Sequence, residues 1–124
     1  MTATTRRAGR LAGLAVALFV AFSPATALAQ YFGAIAYSAY SGRWGYSYDY
    51  LSRYEAEQRA LAECGGGCQI AVWFSNGCGA LAVGPDGWGS GWAYSRAQAE
   101  ANALSACRSY SYGCRIQAWA CTTR

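Results

Sequence analysis

The sequence predicts an α+β domain: two pseudo-symmetric strand-strand-helix-strand repeats forming a largely antiparallel sheet system with two helices, stapled by disulfides. Three observations predict it. Short motifs recur in fixed order between 43 and 46 residues apart. Each copy carries one capped helical stripe between apolar, β-prone segments. Six cysteines fall in a short chain, the pattern of a small disulfide-built domain.

The repeats run as copies of about 31–77 and 78–122. Gly33-Ala34-Ile35-Ala36 returns as Gly79-Ala80-Leu81-Ala82, and Trp44-Gly45 as Trp88-Gly89. Ser52-Arg53-x-x-Ala56-Glu57 returns as Ser95-Arg96-x-x-Ala99-Glu100, and Cys68-x-Ile70-x-x-Trp73 as Cys114-x-Ile116-x-x-Trp119. The offset between equivalents is expected to change only at turns. One copy alone would bury too little surface to be stable, so the two should share a core.

In chain order, the first strand is read at Phe32 to Tyr37, with Ala80 to Val83 as its equivalent. Ser41-Gly42 and Pro85-Asp86-Gly87 make the following turns. The second strand, Arg43 to Tyr50, alternates large and small residues, which places Trp44, Tyr46, Tyr48 and Tyr50 on one face. Its equivalent carries Trp88, Trp92 and Tyr94, and Gly89 and Gly91 are expected to weaken it. Ser52-x-x-Glu55 and Ser95-x-x-Gln98 fit capping boxes at two helix starts. Ala56, Ala60, Leu61 and Cys64, and likewise Ala99, Ala103, Leu104 and Cys107, then form a narrow stripe suited to close packing on a sheet. The third strands are Gln69 to Phe74 and Arg115 to Ala120, whose Trp73 and Trp119 are expected in the core.

The arginine of the repeated Ser-Arg-x-x-Ala-Glu stands in the first helical turn, opposing the helix dipole, and four residues before its glutamate. A tertiary role is therefore expected for Arg53 and Arg96: bonding carbonyls or stacking on the second-strand aromatics.

Six cysteines allow 15 pairings, which the duplication narrows. Cys64 matches Cys107 and Cys68 matches Cys114, giving Cys64–Cys68 and Cys107–Cys114. Cys78 and Cys121 remain and are expected to pair, tying one copy to the other. A metal site is disfavoured, because there is no histidine and Cys64-x-x-x-Cys68 has no second matching pair.

Residues 1–29 read as a secretory leader. Arg6, Arg7 and Arg10 precede an apolar run from Leu11 to Phe22, and Ala27-Leu28-Ala29 closes it with a small-x-small cleavage pattern. Twelve residues span about 18 Å as a helix, short of the roughly 30 Å bilayer core, so no membrane span is expected in the mature form. Arg6-Arg7 also raises a twin-arginine route, although Ala8-Gly9 suits it poorly. Residues 30–124 would then be a single secreted domain with disulfides formed outside the cytoplasm.

Of the ten basic residues, three lie in the leader, and the remaining seven against six acids leave a net charge of +1. That balance argues against a nucleic-acid partner. Lacking histidine, the chain has no ordinary triad or imidazole base. Among the carboxylates only Asp49 sits between candidate sugar-stacking rings. No catalytic residue, cofactor or metal ligand is assigned. The surplus aromatics suggest a binding surface of Trp44, Tyr46, Tyr48, Tyr50, Trp88 and Trp92, facing an unknown protein partner or a cell-wall glycan. The expectation is a secreted, non-enzymatic interaction protein, with a carbohydrate-binding module as the alternative and a weak hydrolase behind both.

The motifs Gly33-Ala34-Ile35-Ala36, Trp44-Gly45-Tyr46-Ser47, Ser52-Arg53-x-x-Ala56-Glu57 and Asn76-x-Cys78-Gly79-Ala80, with the paired cysteines, make residues 31–122 resemble the DUF4189 family. The resemblance implies an exported bacterial domain of mycobacterial type, standing alone after its leader, and it permits a role on host cells; envelope association is expected from export and the aromatic surface. It implies no catalytic residue.

Overall fold

A computed structural model describes residues 29–124. The expected leader lies almost wholly outside them. The elements follow the repeat. The first copy runs β1 (Phe32–Tyr37), β2 (Trp44–Tyr50), α1 (Arg53–Cys64) and β3 (Gln69–Ser75). The second runs β4 (Cys78–Val83), β5 (Trp88–Ala93), α2 (Arg96–Arg108) and β6 (Arg115–Cys121).

Each copy closes its own antiparallel sheet around its first strand, in the orders β2-β1-β3 and β5-β4-β6. The expected antiparallel sheet system is thus built as two three-stranded sheets, and they lie face to face, with β3 against β5 and β2 against β6. The reason is the junction between the copies. Asn76 adopts φ 49°, and its amide and side-chain oxygen bond Tyr31, so the chain reverses tightly between β3 and β4. The second sheet folds over the first instead of extending it.

The central strands are buried on both faces, which suits their unbroken apolar sequence. Ile35, Tyr37, Phe74, Leu81, Ala118 and Ala120 form the layer between the sheets. Ala34 and Ala36 turn the other way onto Ala56, Ala60 and Cys64 of α1, and Ala80 and Ala82 onto Ala99, Ala103 and Cys107 of α2. The order of layers is thus helix, sheet, sheet, helix. Phe74 is the one large ring at the centre. A Cβ on Gly33 or Gly79 would stand within 2.5 Å of its ring, so the duplicated glycine is what admits it.

Ser52 and Ser95 cap the helices, accepting from the amides of Glu55 and Gln98 at 3.1 and 3.2 Å. At the far end of α1, Arg43 Nε donates to the Cys64 carbonyl at 3.1 Å. Gly89 and Gly91 serve the packing they were expected to weaken. A Cβ on either would meet the α2 backbone at 2.2 and 2.6 Å, and a Cβ on Gly45 would likewise stand 2.3 Å from Cys64 N. The helices sit so close to their strands because nothing intervenes.

All three pairings expected from the symmetry form: Cys64–Cys68, Cys107–Cys114 and Cys78–Cys121. The last does not join the copies. Cys78 is the first residue of β4 and faces Cys121 of β6 across one ladder, so the bridge lies within the second sheet. The corresponding pair in the first sheet is Phe32 opposite Ser75, where Phe32 packs on Trp73 instead.

Candidate functional surface

Two long seams remain where the sheets meet at their edges, and pseudo-symmetry relates them. One lies between β3 and β5 and is lined by Ala71 to Asn76, Gln30, Trp92 and Tyr94, with a volume of about 570 Å³. The other lies between β6 and β2 and is lined by Gln117 to Cys121, Trp44, Tyr46, Tyr48 and Thr123, with about 450 Å³. Among the described residues, neither is lined by an ionisable side chain other than tyrosine.

The six aromatics expected to form one surface do not stay together. Trp44, Tyr46 and Tyr48 do share a face, as a row of near-parallel rings with centroids 5.9 and 6.2 Å apart. Tyr50 leaves that row. A bulge between the β1 partners Phe32 and Ala34 inserts Asp49 at φ 66°, and Tyr50 then points to the helix side, packing beside Ala34 and Ala36. The repeat offset drops from 44 to 43 at this place. The shift expected only in turns therefore also falls inside a strand. Trp88 packs against the core between the sheets, edge-on to Tyr37 at 5.7 Å. Trp92 is half exposed and meets Tyr94, which is more open still.

Trp73 and Trp119, expected in the core, remain about 40% exposed. They lie on the helix side of their strands, and what covers them is the repeated arginine. The Arg53 guanidinium stands 4.3 Å from the centroid of Trp73, and that of Arg96 stands 3.7 Å from Trp119. Glu57 and Glu100 hold the two arginines at 2.7 and 2.8 Å. The Ser-Arg-x-x-Ala-Glu motif is thus a pin: serine caps, arginine plates the third-strand tryptophan, glutamate fixes the arginine. The expected tertiary role holds, with third-strand rather than second-strand aromatics as its object.

Asp49 has a partner that sequence reasoning missed. Its carboxylate accepts from the Thr123 amide at 2.9 Å and from the Thr123 hydroxyl, with Arg124 Nε at 3.8 Å. Partial burial opposes ionisation, but the hydrogen bonds from Thr123 and the Arg124 charge outweigh it and hold the carboxyl below its ordinary value. The other acids are also engaged: Glu55 with Ser52, Glu63 with Arg59, Glu57 and Glu100 with the pins. Among the described residues only the Asp86 side chain has no such contact. The carboxylates thus serve the scaffold, and among the described residues no cluster of three potential ligands could hold a metal.

No described helix is long and apolar enough to cross a membrane. The family model "Domain of unknown function (DUF4189)" matches residues 32–121. Protein Rv1269c of Mycobacterium tuberculosis (strain H37Rv) and Protein Mb1300c of Mycobacterium bovis are each 37% identical over 94 residues, spanning 75% of this chain and 71% of theirs. The NMR structure of Rv1813c from Mycobacterium tuberculosis is similar at a TM-score of 0.56 and 30% identity, covering 82% of this chain and 83% of that one.

Proposed function

The chain belongs to the DUF4189 family, and we propose that it is an exported, non-enzymatic domain that binds a protein partner outside the cell, at the envelope or on a host. The observation that carries this reading is the pair of seams: uncharged, lined by exposed aromatic rings, and held by a frame of short bridges and arginine pins. Rigid aromatic rings give binding energy at small entropic cost, and a stapled frame loses little freedom on association. Three disulfides accord with an oxidising compartment, as the basic, apolar leader does with export. The engagement of five of the six acids in caps, ion pairs and the C-terminal contact favours binding over hydrolysis.

Glycan binding is the alternative, favoured by the row Trp44, Tyr46 and Tyr48. One comparison separates the two. Oxidised 30–124 is immobilised and challenged with culture filtrate, envelope proteins and host-cell extract, alongside sedimentation with purified cell wall. The proposal expects a defined protein retained by the wild type and lost with Tyr48→Ala plus Trp92→Ala, while that variant still melts cooperatively and keeps a dispersed amide spectrum. Sedimentation with protein-free wall, lost in the same variant, would replace it with the glycan reading.

A further inference from the structure

The two seams descend from one repeated arrangement, but they are not equivalent. In the β2–β6 seam the rings of Trp44, Tyr46 and Tyr48 lie in a row, and Thr123, held by Asp49, closes one end. In the β3–β5 seam the position equivalent to Tyr46 is Ser90, whose hydroxyl donates to the Ala71 carbonyl at 2.8 Å. No row of rings fills this seam. Trp92, 50% exposed, and Tyr94, 79% exposed, stand beside it, and the seam is the larger of the two.

Its inner wall is the outer edge of β3, with which no strand among the described residues pairs. An edge strand presents every second amide and carbonyl without a ladder partner, and natural sheets blunt such edges with charge, proline or cover. β3 reads Gln-Ile-Ala-Val-Trp-Phe-Ser, with neither an ionisable side chain nor a proline. Of the other edges, β2 carries the Asp49 bulge and β6 begins at Arg115, while β5, likewise without charge or proline, faces β3 across the seam and carries Trp92. An uncovered strand of this composition is an aggregation hazard.

We infer that the β3–β5 seam takes an extended, uncharged segment of a partner protein, which adds as a strand to β3 beneath Trp92 and Tyr94. Its backbone would pair with the groups of β3 other than the Ala71 carbonyl, which Ser90 already holds, giving affinity that depends little on sequence, while the two rings cover its side chains. Because Tyr94 is the one ionisable side chain among the described residues that line the seam, a charged residue entering it would be desolvated without an opposite charge, which selects against acidic and basic segments. A second copy of this chain is a poorer fit. Edge-to-edge pairing of one seven-residue strand falls well short of the roughly 800 Å² per partner of a stable interface. This inference rests on the protein-binding reading and adds to it the seam and the form of the ligand.

The test uses oxidised 30–124 and, as probe, a capped seven-residue peptide alternating valine and threonine. Its control is the same peptide N-methylated at alternate residues, which cannot complete a ladder. Amide chemical shifts and hydrogen exchange are followed by NMR. The expected result is saturable binding of the first peptide alone, with new protection confined to β3 and with Trp92→Ala weakening it about tenfold. Equal binding of the methylated peptide would overturn the strand-addition mode. Shifts confined to β2 and β6 would place the site in the other seam, and no binding at millimolar peptide would remove the inference. A concentration-dependent dimer protecting β3 before peptide is added would assign the edge to a second copy. Partner retention in the capture experiment is read separately, so loss of the strand mode does not carry the protein-binding reading with it.

Discussion

At Asp49 a single inserted residue changes what the second strand presents. It moves Tyr50 to the helix side, and its carboxylate ties β2 of the first copy to the C-terminal residues of the second. Its pKa is lowered in the folded chain from an ordinary value of 3.8. The contribution is therefore present above that value and lost as pH falls through the lower folded one. Thermal melts from pH 6 to pH 2 should show the wild type losing stability below about pH 4, with Asp49→Asn less stable at neutral pH and flatter through the acid range. Equal slopes would mean that the tie is energetically silent. The arginine pins act at the same scale. Arg96→Ala should cost about 1 kcal/mol, since half-exposed cation–π contacts reach roughly that and surface ion pairs add little. In a domain of this size that is a fall of about 4–8 °C. Arg96→Lys keeps the charge beside Glu100 but not the flat plate over Trp119, so it should recover less than half of the loss. The repeated arginine was legible as a tertiary contact because it opposes the helix dipole twice. Its target was not, because an apolar strand such as Arg115–Cys121 does not reveal which of its faces remains open.

Among the elements, the helices were the most readable, since serine caps and alanine stripes are local signals that fix both start and face. The strands were readable in extent but not in what their small residues do. Gly89 and Gly91 look like weak points in a strand until a helix backbone is laid against them at van der Waals distance. The same holds for Trp88, whose alternation places it with Trp92, while Tyr37 from the other sheet draws it into the core. Pairing of the cysteines was fully legible, because a bridge that recurs in two copies must join equivalent positions. The placement of Cys78–Cys121 was not, because the strand read from Ala80 leaves Cys78 outside it, whereas Cys78 is the first rung of the ladder. With a sequence separation of 43 this bridge closes the longest loop. On the chain-entropy model its removal by Cys78→Ser with Cys121→Ser costs about 4 kcal/mol, against about 2 kcal/mol for Cys64–Cys68. Urea unfolding of the two double variants measures the difference, and equal losses would show that native-state geometry rather than loop length governs these bridges.

For the whole molecule, the duplication sets what can be stable. Each copy already has a complete sheet and a complete helix–sheet interface, so the copies could have been independent units joined by a tight turn. The layer between the sheets argues otherwise. Ile35 and Phe74 from one copy and Leu81, Ala118 and Ala120 from the other bury one another, and neither sheet has anything else to place on that face. Phe74 is the sharpest case, because its ring is accommodated by Gly33 of its own copy and Gly79 of the other. A separated first copy would expose Ile35, Tyr37, Val72 and Phe74 together, an apolar face that a three-stranded sheet with one short helix cannot leave in water and remain folded. Residues 30–77, oxidised at Cys64–Cys68, should therefore show no cooperative melt by circular dichroism and no dispersed amide spectrum, and mixing with 78–124 should restore both. A fragment that melts cooperatively alone, as a monomer, would mean that the sheets are joined for function and not for stability. The seams would then be an interface between two domains, free to open, instead of fixed grooves in one.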